Sequence, residues 1–468
     1  MTVEHDVWEG VEASADVDPS TEEHLTDLGN AMRLRRLHGD DIRYVSAEDK
    51  WYVWSDTGIW RRDDDGEITR RAIQTVRDGH RDAILEDDKE IREAKVKHFL
   101  KSEAEPAIAR AIRLARSLSG ISSRPSDFNA DPYTLNTLSG TVDLRSGSMR
   151  PHDRLALCTR QTSSPFDLNA CCPRWEQFLA EVFPGDSETV EFVRLALGYA
   201  LTGDTREHAA FFPFGLGANG KSVLLETIRH VLGSYAATAE ASTFLAKRDE
   251  DGGVRNDLAR LTGVRFVTAI ESEEGARLAE GFLKSITGGD TVTARFLFKE
   301  FFEFRPQFKV WLATNHKPMV RGTDDGIWRR IRLIPFEQKF EGDRQDRDLS
   351  DALRAEAPGI LAWLVRACID WQERGLGTPP AVASATREYR EDQDLLGRFL
   401  AERCDVGPTE YDTAKRIYEN FRRWCEEQGE KSWSQKAVGM RMQERGFVAE
   451  RTMRERTWRG VAVSVLAE

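Results

Sequence analysis

The sequence predicts an α/β protein built around a parallel sheet, and two observations carry this prediction. The apolar runs at residues 264–270, 308–313 and 331–336 have the length of buried strands and are separated by helical patterns or long insertions. A further apolar run at 211–214 leads into a glycine-rich turn, and a helical pattern follows at once. Strands alternating with helices indicate a parallel sheet, in which ligands bind at the carboxyl ends of the strands.

The glycine-rich turn reads Gly215-x-x-x-x-Gly220-Lys221-Ser222, a spacing typical of a loop that binds nucleotide phosphates. Glycines let successive backbone N–H groups face the phosphates, and the positive end of the following helix adds to the attraction. We expect Lys221 to reach the β- and γ-phosphates of ATP and the Ser222 hydroxyl to ligate Mg²⁺. A turn that merely begins a helix is the alternative. The residues expected to contact the nucleotide are Gly215, Gly217, Ala218, Asn219, Gly220, Lys221, Ser222 and Val223.

Length and composition set the class of protein. The 468 residues are 40% hydrophobic and 31% charged, carry a net charge of −12 and allow about three domains. No apolar run approaches the roughly 20 residues that cross a bilayer, and the first residues lack the apolar core of a secretory signal. Scattered cysteines without CxxC spacing favour reduced thiols in the cytoplasm. The negative net charge does not exclude nucleic acid, because clustered basic residues bind phosphate on acidic proteins.

Changes in pattern along the chain predict four segments. Residues 1–25 are expected to form a flexible acidic tail, and residues 26–190 an α+β region that becomes rich in tight turns from about residue 127. Residues 191–377 contain the glycine-rich loop, the apolar strands and a helical lid. Residues 385–468 follow a proline-containing linker and are expected to form two helices and a two-stranded wing.

Acidic, amide and basic residues stand at the ends of the predicted strands. Glu271 follows the run 264–270, where a carboxylate can hold Mg²⁺ and polarise an attacking water. Asn315 follows the next strand, where its amide can orient that water. Arg329 and Arg330 precede the last strand, and an arginine from a neighbouring subunit can stabilise charge on a γ-phosphate. For Glu271 the alternative is an acidic turn without a catalytic role.

Several blocks of sequence, in this order, resemble superfamily 3 helicases. The resemblance is to the phage and plasmid primase–helicase family related to the poxvirus primase–helicase, and it runs from about residue 129 to residue 375. The matching blocks are GLGANGKS, RFVTAIESEEG, LKSITGGDTVTARFLFKE, WLATNHKP and TDDGIWRRIRLIPFE.

The resemblance implies an AAA+-like P-loop NTPase core that forms a ring, usually a hexamer, with ATP between subunits. It gives Lys221 and Ser222 the phosphate and metal roles, Glu271 the second acidic motif and Asn315 a sensor role. Many relatives place two acids side by side after this strand, whereas Ser272 follows Glu271 here. The catalytic base is therefore Glu271 or Glu273.

The resemblance also implies contacts with single-stranded DNA in the pore and with a neighbouring subunit. The stretch from Lys284 to Lys299 corresponds to a hairpin that faces the pore, and Lys299 is the principal candidate for a contact with a DNA phosphate. Arg295 in the same stretch has a structural or nucleotide-linked role as its alternative. Arg330 corresponds to an arginine finger, with Arg329 as the second candidate. A positive pore needs only a positive inner surface, so the net charge is no obstacle.

Arginines crowd the predicted C-terminal wing around Trp458. Two helices followed by a basic wing resemble a winged helix-turn-helix, which would bind DNA. A solvated charged hairpin is the alternative, because Glu450 and Glu455 lie among the arginines. The candidate DNA-binding residues are Arg451, Arg454, Arg456 and Arg459.

The sequence therefore predicts an ATP-dependent, ring-forming DNA helicase of phage or plasmid replication. An origin-binding or helicase-loading ATPase that remodels DNA without processive unwinding is the alternative. About 125 residues precede the region of resemblance and lack a convincing arrangement of paired carboxylates and histidine. We therefore expect no primase activity in this chain and a separate primase or initiator as a partner.

Overall fold

A computed structural model describes residues 23–246, 256–271, 275–295, 301–322, 325–451 and 455–464, without the side chains of residues 256, 271 and 343. Glu273, Lys299 and Arg454 lie outside the described residues, as does most of the predicted tail 1–25, and only the backbone of Glu271 is described. The contacts divide the chain into two units. The first comprises residues 1–131, 138–141 and 150–161, and the second comprises residues 132–137, 142–149 and 162–468.

The helices and strands are numbered in chain order. The helices are α1 (Asp27–His38), α2 (Glu67–Ile84), α3 (Lys89–Ser102), α4 (Glu105–Ala115), α5 (Pro173–Val182), α6 (Ser187–Ala200), α7 (Lys221–Leu232), α8 (Asn256–Ala259), α9 (Glu280–Gly288), α10 (Asp325–Trp328), α11 (Leu349–Ala355), α12 (Ala357–Arg374), α13 (Pro380–Gln393), α14 (Leu395–Arg403), α15 (Ala414–Glu427) and α16 (Gln435–Glu444). The strands are β1 (Ile42–Val45), β2 (Lys50–Trp54), β3 (Trp60–Arg62), β4 (Ser122–Ser123), β5 (Thr134–Asn136), β6 (Thr141–Asp143), β7 (Ser148–Arg150), β8 (Ala210–Phe214), β9 (Ala236–Thr238), β10 (Phe266–Glu271), β11 (Val292–Ala294), β12 (Phe302–Phe304), β13 (Lys309–Thr314), β14 (Ile331–Pro335), β15 (Cys404–Thr413), β16 (Val448–Arg451) and β17 (Arg456–Val463).

The first unit packs helices α1–α4 with a four-stranded sheet in the order β3-β2-β1-β4. Strands β1, β2 and β3 pair antiparallel, and the short β4 pairs parallel with β1. Trp51, Val53 and Phe99 belong to its core. Helix α3 begins at Asp88, whose carboxylate accepts hydrogen bonds from the backbone N–H groups of Glu90 and Ile91. The unit is α+β, as predicted for the start of the chain.

The second unit contains a five-stranded, fully parallel sheet in the order β14-β8-β13-β10-β9. Alternate residues point to opposite faces, so Phe211 and Trp311 enter one core while Phe212 and Leu312 enter the other. The two aromatic rings on the first face stack with centroids 4.6 Å apart. The predicted α/β class with a parallel sheet is confirmed. Burial on both faces explains the near-continuous apolar runs in the sequence.

Helix α13 belongs with this sheet. Its Val382 and Tyr389 are buried in the cores on the two faces, and the hydroxyl of Thr386 accepts a hydrogen bond from the backbone N–H of Leu333 on β14. The segment between the predicted boundaries at 377 and 385 therefore contains the first turns of a packed helix. Residues 162–190 of the predicted N-terminal region likewise belong to the second unit.

The C-terminal segment forms helices α14–α16 and a three-stranded antiparallel sheet in the order β15-β17-β16. Its own core contains Phe399, Trp424 and Trp458. The sequence predicted two of the three strands. Strand β15 escaped prediction because its sequence, CDVGPTEYDT, contains Gly407-Pro408 and lacks the apolar alternation that marks a strand, and its register shifts at the same place.

All six cysteines are free thiols. Within the described part of the chain, no helix is both long enough and apolar enough to cross a membrane.

Two buried cations lie at the amino ends of the central strands. Arg265 donates hydrogen bonds of 2.7 Å to the backbone oxygens of Leu201 and Thr134, and Lys309 Nζ donates to the backbone oxygens of Thr202 and Gln307. Leu201 follows the last turn of α6, where the negative end of the helix dipole favours a cation. Burial nevertheless lowers the pKa of Lys309 well below its usual 10.5.

Replacing Lys309 with methionine should remove a pH dependence of stability. The pKa of this lysine is lower in the folded state, so the unfolded state binds more protons between the two pKa values, and the wild type gains stability as pH rises towards 10.5. The difference in free energy of unfolding between wild type and Lys309→Met should then change by up to about 1.4 kcal/mol per pH unit. Urea unfolding across pH measures it. Lys431→Met, at an exposed lysine, is the control, and parallel pH profiles for wild type and Lys309→Met would contradict the prediction.

Candidate functional site

The carboxyl ends of the parallel strands meet at one edge of the sheet. Thr314 pairs with Phe214 on one side and with Glu271 on the other, and Pro335 also pairs with Phe214. The residues that follow these strands therefore emerge side by side. Two hydrogen bonds fix the start of the glycine-rich loop there: Gly215 N–H donates to the oxygen of Thr314 at 3.3 Å, and Phe336 N–H donates to the oxygen of Phe214 at 2.7 Å.

The loop between β8 and α7 has a conformation that depends on its glycines. Gly220 has a φ of 88°, in the region that favours glycine. A Cβ atom on Gly215 would clash with the backbone oxygen of Phe336 and with the amide of Asn219. That amide in turn donates to the Phe336 oxygen at 3.1 Å, and Phe340 N–H donates to the Ala218 oxygen at 2.8 Å. Hydrogen bonds to the residues after β14 thus fix the conformation of the loop.

Lys221 lies at the first position of α7 with its ammonium inside the site. Its side chain donates hydrogen bonds to the Gly215 backbone oxygen, to Asn219 Oδ1 at 3.1 Å and to Asn315 Oδ1 at 3.3 Å. Only 6% of the residue is exposed, and burial lowers its pKa to about 8. All three acceptors are neutral, so the described side chains leave the charge without a counter-ion. A group in this situation favours an anionic ligand.

The first turn of α7 supplies the other features that a polyphosphate needs. The N-cap is Gly220, which has no side chain to cap the helix, so the backbone donors of this turn have no side-chain acceptor. Ser222 is exposed on this turn, and its hydroxyl is accessible to a cation held between phosphates. Val223 is half-buried behind it. These residues fit a nucleoside triphosphate with a divalent cation.

The structure brings Asn315 to Lys221, although 94 residues separate them along the chain. Thr314 helps to position that asparagine: its hydroxyl accepts from His316 N–H at 3.1 Å and donates to the His316 oxygen. Sequence analysis did not single out Thr314. The sequence did contain a signal for this role: a threonine just before a turn can form a hydrogen bond from its hydroxyl to the backbone two residues further on. The backbone of Glu271 ends the adjacent strand at the same edge.

The two candidate arginine fingers lie at the opposite edge of the same sheet. Ile331 pairs with Ala210, five residues before Gly215, so the arginines lie about 16 Å from the loop along the strand direction. Arg330 donates to Thr287 Oγ1 at 3.1 Å and to the Gly326 oxygen at 2.6 Å. Arg329 is exposed, and its side chain makes no hydrogen bond or ion pair with a described residue.

Strands β11 and β12 form the antiparallel hairpin expected from the block 284–299. Arg295 follows β11 and stacks over the ring of Phe301, with 4.5 Å between the guanidinium and the ring centroid. Lys284 is half-buried on α9, outside the hairpin. The block 284–299 was treated as one unit in the sequence, but in the structure Lys284 lies on a helix and not on the hairpin strands.

The arginines of the predicted wing lie on β16 and β17. Arg451 and Arg456 face each other across the two strands and are exposed. Arg459 pairs with Glu450 at 2.9 Å, so part of its charge is compensated. Arg456 also lies over the ring of Trp458.

Two known protein families match separate regions of this chain. The family described as "D5 N terminal like" matches residues 31–184, and a "Family of unknown function (DUF5906)" matches residues 214–330. The second match begins at the strand before the glycine-rich loop and ends at Arg330.

Three curated relatives have informative names. A "Putative helicase" of Acanthamoeba polyphaga mimivirus is 30% identical over 319 residues, which are 62% of this chain and 33% of the relative. A "Putative helicase" of Frog virus 3 is 30% identical over 281 residues, 56% of this chain and 29% of the relative. A "Putative primase" of African swine fever virus is 25% identical over 236 residues, 47% of this chain and 24% of the relative. The chain spans about a third of the length of these two putative helicases.

Among solved structures, the apo structure of the NrS-1 C-terminal region has a similar fold. The TM-score is 0.52 at 10% sequence identity, and the match covers 93% of this chain and 99% of that one. The fold and site thus define an α/β protein with a phosphate-loop sequence at the carboxyl edge of a parallel sheet. The two family matches and the names of these relatives support a D5-like primase–helicase family for this chain, and no primase domain is evident in its described part.

When a nucleoside triphosphate binds at pH 8, the side chain of Lys221 should take up protons. With a pKa of about 8, half of the Lys221 side chains are neutral in the free protein, and a bound polyanion would protonate them. We expect an uptake of about half a proton per site. Titration calorimetry with a non-hydrolysable ATP analogue and Mg²⁺, in two buffers of different ionisation enthalpy, measures this number.

Lys221→Arg is the matched control, because its guanidinium is charged in both states and should take up no proton. Lys221→Met should lose most of the affinity. Binding heats of the wild type that do not depend on the buffer would contradict the assignment.

Proposed function

We propose that this protein is an ATP-dependent DNA helicase that works as a ring and translocates on single-stranded DNA. The observation that carries the proposal is the buried ammonium of Lys221, whose partners are all neutral oxygens, beside the open first turn of α7. The family supports the activity, because curated relatives from two viruses are named putative helicases.

The loop 215–220 and α7 would hold ATP and Mg²⁺. Backbone donors of the loop and the ammonium of Lys221 would bind the phosphates, and the hydroxyl of Ser222 would face the metal. When bound, Mg²⁺ would neutralise charge that develops on the transferred phosphoryl group. The amide of Asn315 would then orient the attacking water, with Glu271 or Glu273 as its base. The hydrogen bond from Lys221 to Asn315 supports a shared site.

The position of the arginines supports the proposed ring. Neither Arg329 nor Arg330 can reach the loop of its own chain, which lies about 16 Å away along the sheet. A neighbour can offer an arginine to that loop, and a heterologous interface that repeats this contact closes into a ring when the rotation permits. The exposed, unpaired side chain of Arg329 favours it as the finger, and the two hydrogen bonds of Arg330 favour a positioning role.

The DNA would lie along the hairpin β11–β12, with Lys299 and Arg295 as the basic contacts. Phosphate contacts on the inner surface of a ring need only local positive charge, so the net charge of −12 is compatible with them. Lys284 on α9 is a weaker candidate, because it lies outside the hairpin.

An origin-binding or helicase-loading ATPase is the second candidate. The C-terminal segment favours it: α15, α16 and the strands β16 and β17 have the order of a winged helix-turn-helix, and Arg451 and Arg456 are exposed on the wing. In that case the wing would bind duplex DNA and the ATPase would remodel it. A separate primase or initiator would be the partner in either case.

A strand-displacement assay on forked DNA separates the two candidates. The wild type with ATP should unwind the fork, Lys221→Ala should not hydrolyse ATP, and Lys299→Ala should lose unwinding more than hydrolysis. ATP hydrolysis stimulated by single strands without any unwinding would reject the helicase and favour the loader. Arg451→Ala/Arg456→Ala should leave unwinding of a preformed fork unchanged if the wing binds only duplex DNA.

Mixing two inactive variants tests the shared site. Arg329→Ala should retain nucleotide binding and lose ATPase activity by roughly 10³-fold or more. When Arg329→Ala and Lys221→Ala are mixed in equal amounts, about a quarter of the interfaces combine an intact Lys221 with a neighbour's intact Arg329. ATPase activity should therefore reappear on mixing. Arg330→Ala provides the comparison, and rescue by Arg330→Ala but not by Arg329→Ala would exchange their roles.

A further inference from the structure

We propose that Phe301 and Arg295 form a platform on which an unpaired nucleobase of single-stranded DNA stacks. This inference rests on the proposed function, since it names the part of the DNA that the hairpin would recognise. It differs from a phosphate contact by Lys299, because a stacking platform binds the bases and a lysine binds the backbone.

The hairpin exposes a large aromatic ring on its outer face. Ala294 pairs with Phe302, and on this inner face Phe302 and Phe304 pack against the core beside the parallel sheet. The alternation of side chains places Phe301 on the other face, and 60% of it is exposed. A ring this open gains little from folding, so the core does not explain it.

Arg295 contacts the ring while its positive charge stays unpaired among the described residues. Its guanidinium lies 4.5 Å from the centroid of Phe301, and it makes no hydrogen bond or ion pair with any described residue. Its Nε is buried and lacks an acceptor in the described part of the chain. Glu303 is exposed on the same face and does not pair with it. The wing has a similar pair, with Arg456 5.0 Å from the ring centroid of Trp458, but that ring is buried and cannot receive a base.

An exposed aromatic ring next to a guanidinium can bind a single-stranded nucleic acid through a base and its phosphate. Every base has a π-face that stacks on an aromatic ring, and the neighbouring phosphate offers an anion to a free guanidinium. Bases in a duplex are already stacked on each other, so only an unpaired strand can use the ring. The sequence from Arg295 to Phe301, RFLFKEF, combines two basic and three aromatic residues, a composition that suits such surfaces.

A second copy of the chain is the other occupant to consider for this face. A contact between subunits that buries Arg295 costs free energy unless the second copy supplies a carboxylate to pair with it. A single strand presents a phosphate beside every base, so it can supply the stacking partner and the anion together.

Two fluorescein-labelled oligomers of equal length test the platform: oligodeoxythymidine and an abasic strand with the same number of phosphates. In the presence of a non-hydrolysable ATP analogue, the wild type should bind oligodeoxythymidine more tightly than the abasic strand. Phe301→Leu should lose about tenfold in affinity for oligodeoxythymidine, the scale of one stacked base, and should bind the abasic strand as the wild type does. Phe301→Tyr keeps the ring and should behave as wild type.

Lys299→Ala is the matched control for the backbone. It should weaken binding to both strands and reduce the salt dependence of binding, whereas Phe301→Leu should leave the salt dependence unchanged. If Phe301→Leu keeps the wild-type preference for bases, or if it instead changes the sedimentation coefficient of the assembly, the platform is rejected while the helicase proposal stands. If the wild type binds neither strand, the proposed function itself fails. Because Phe301 is largely exposed, Phe301→Leu should fold normally.

Discussion

The buried charge of Lys221 is the constraint on which the arrangement of the site depends. An ammonium with no counter-ion is costly to bury, and here it is held by two amide oxygens and one backbone oxygen. Each acceptor comes from a different place: Gly215 from the end of β8, Asn219 from the loop and Asn315 from the end of β13. Loss of register between β8 and β13 would therefore separate the lysine from its partners. Burial lowers the pKa of Lys221 to about 8, and an anionic ligand beside the ammonium would favour its charged form again.

The parallel sheet sets this geometry because all its strands end at the same edge. Both of its faces are buried, so a slip of one residue would turn core residues to the wrong side. The register fixed by the two cores therefore also fixes the distance between the loop and the residues after β10 and β13. The same rigidity places Arg329 at the far edge, about 16 Å from the loop of its own chain.

Local charge explains how an acidic protein can act on DNA. Many arginines near the surface pair with a carboxylate, as Arg459 does with Glu450. Arg295 and Arg329 are among those that do not pair with a described carboxylate, and the two serve different proposed ligands. The net charge of −12 therefore says little about either site, since what matters is which cations lack a partner.

The sequence by itself determined the parallel α/β core, because strands buried on both faces must be apolar, and it located the loop, since its glycine spacing is a local requirement. It also placed Asn315 at a strand end. It could not reveal β15, whose sequence lacks the apolar alternation of a strand, or that helix α13 packs with the sheet. Only the tertiary structure decided which charges are paired: Arg329 and Arg330 are neighbours in sequence, yet one is exposed and the other is bound by Thr287 and Gly326. Pairing depends on residues that are distant along the chain, and no local pattern encodes those distances.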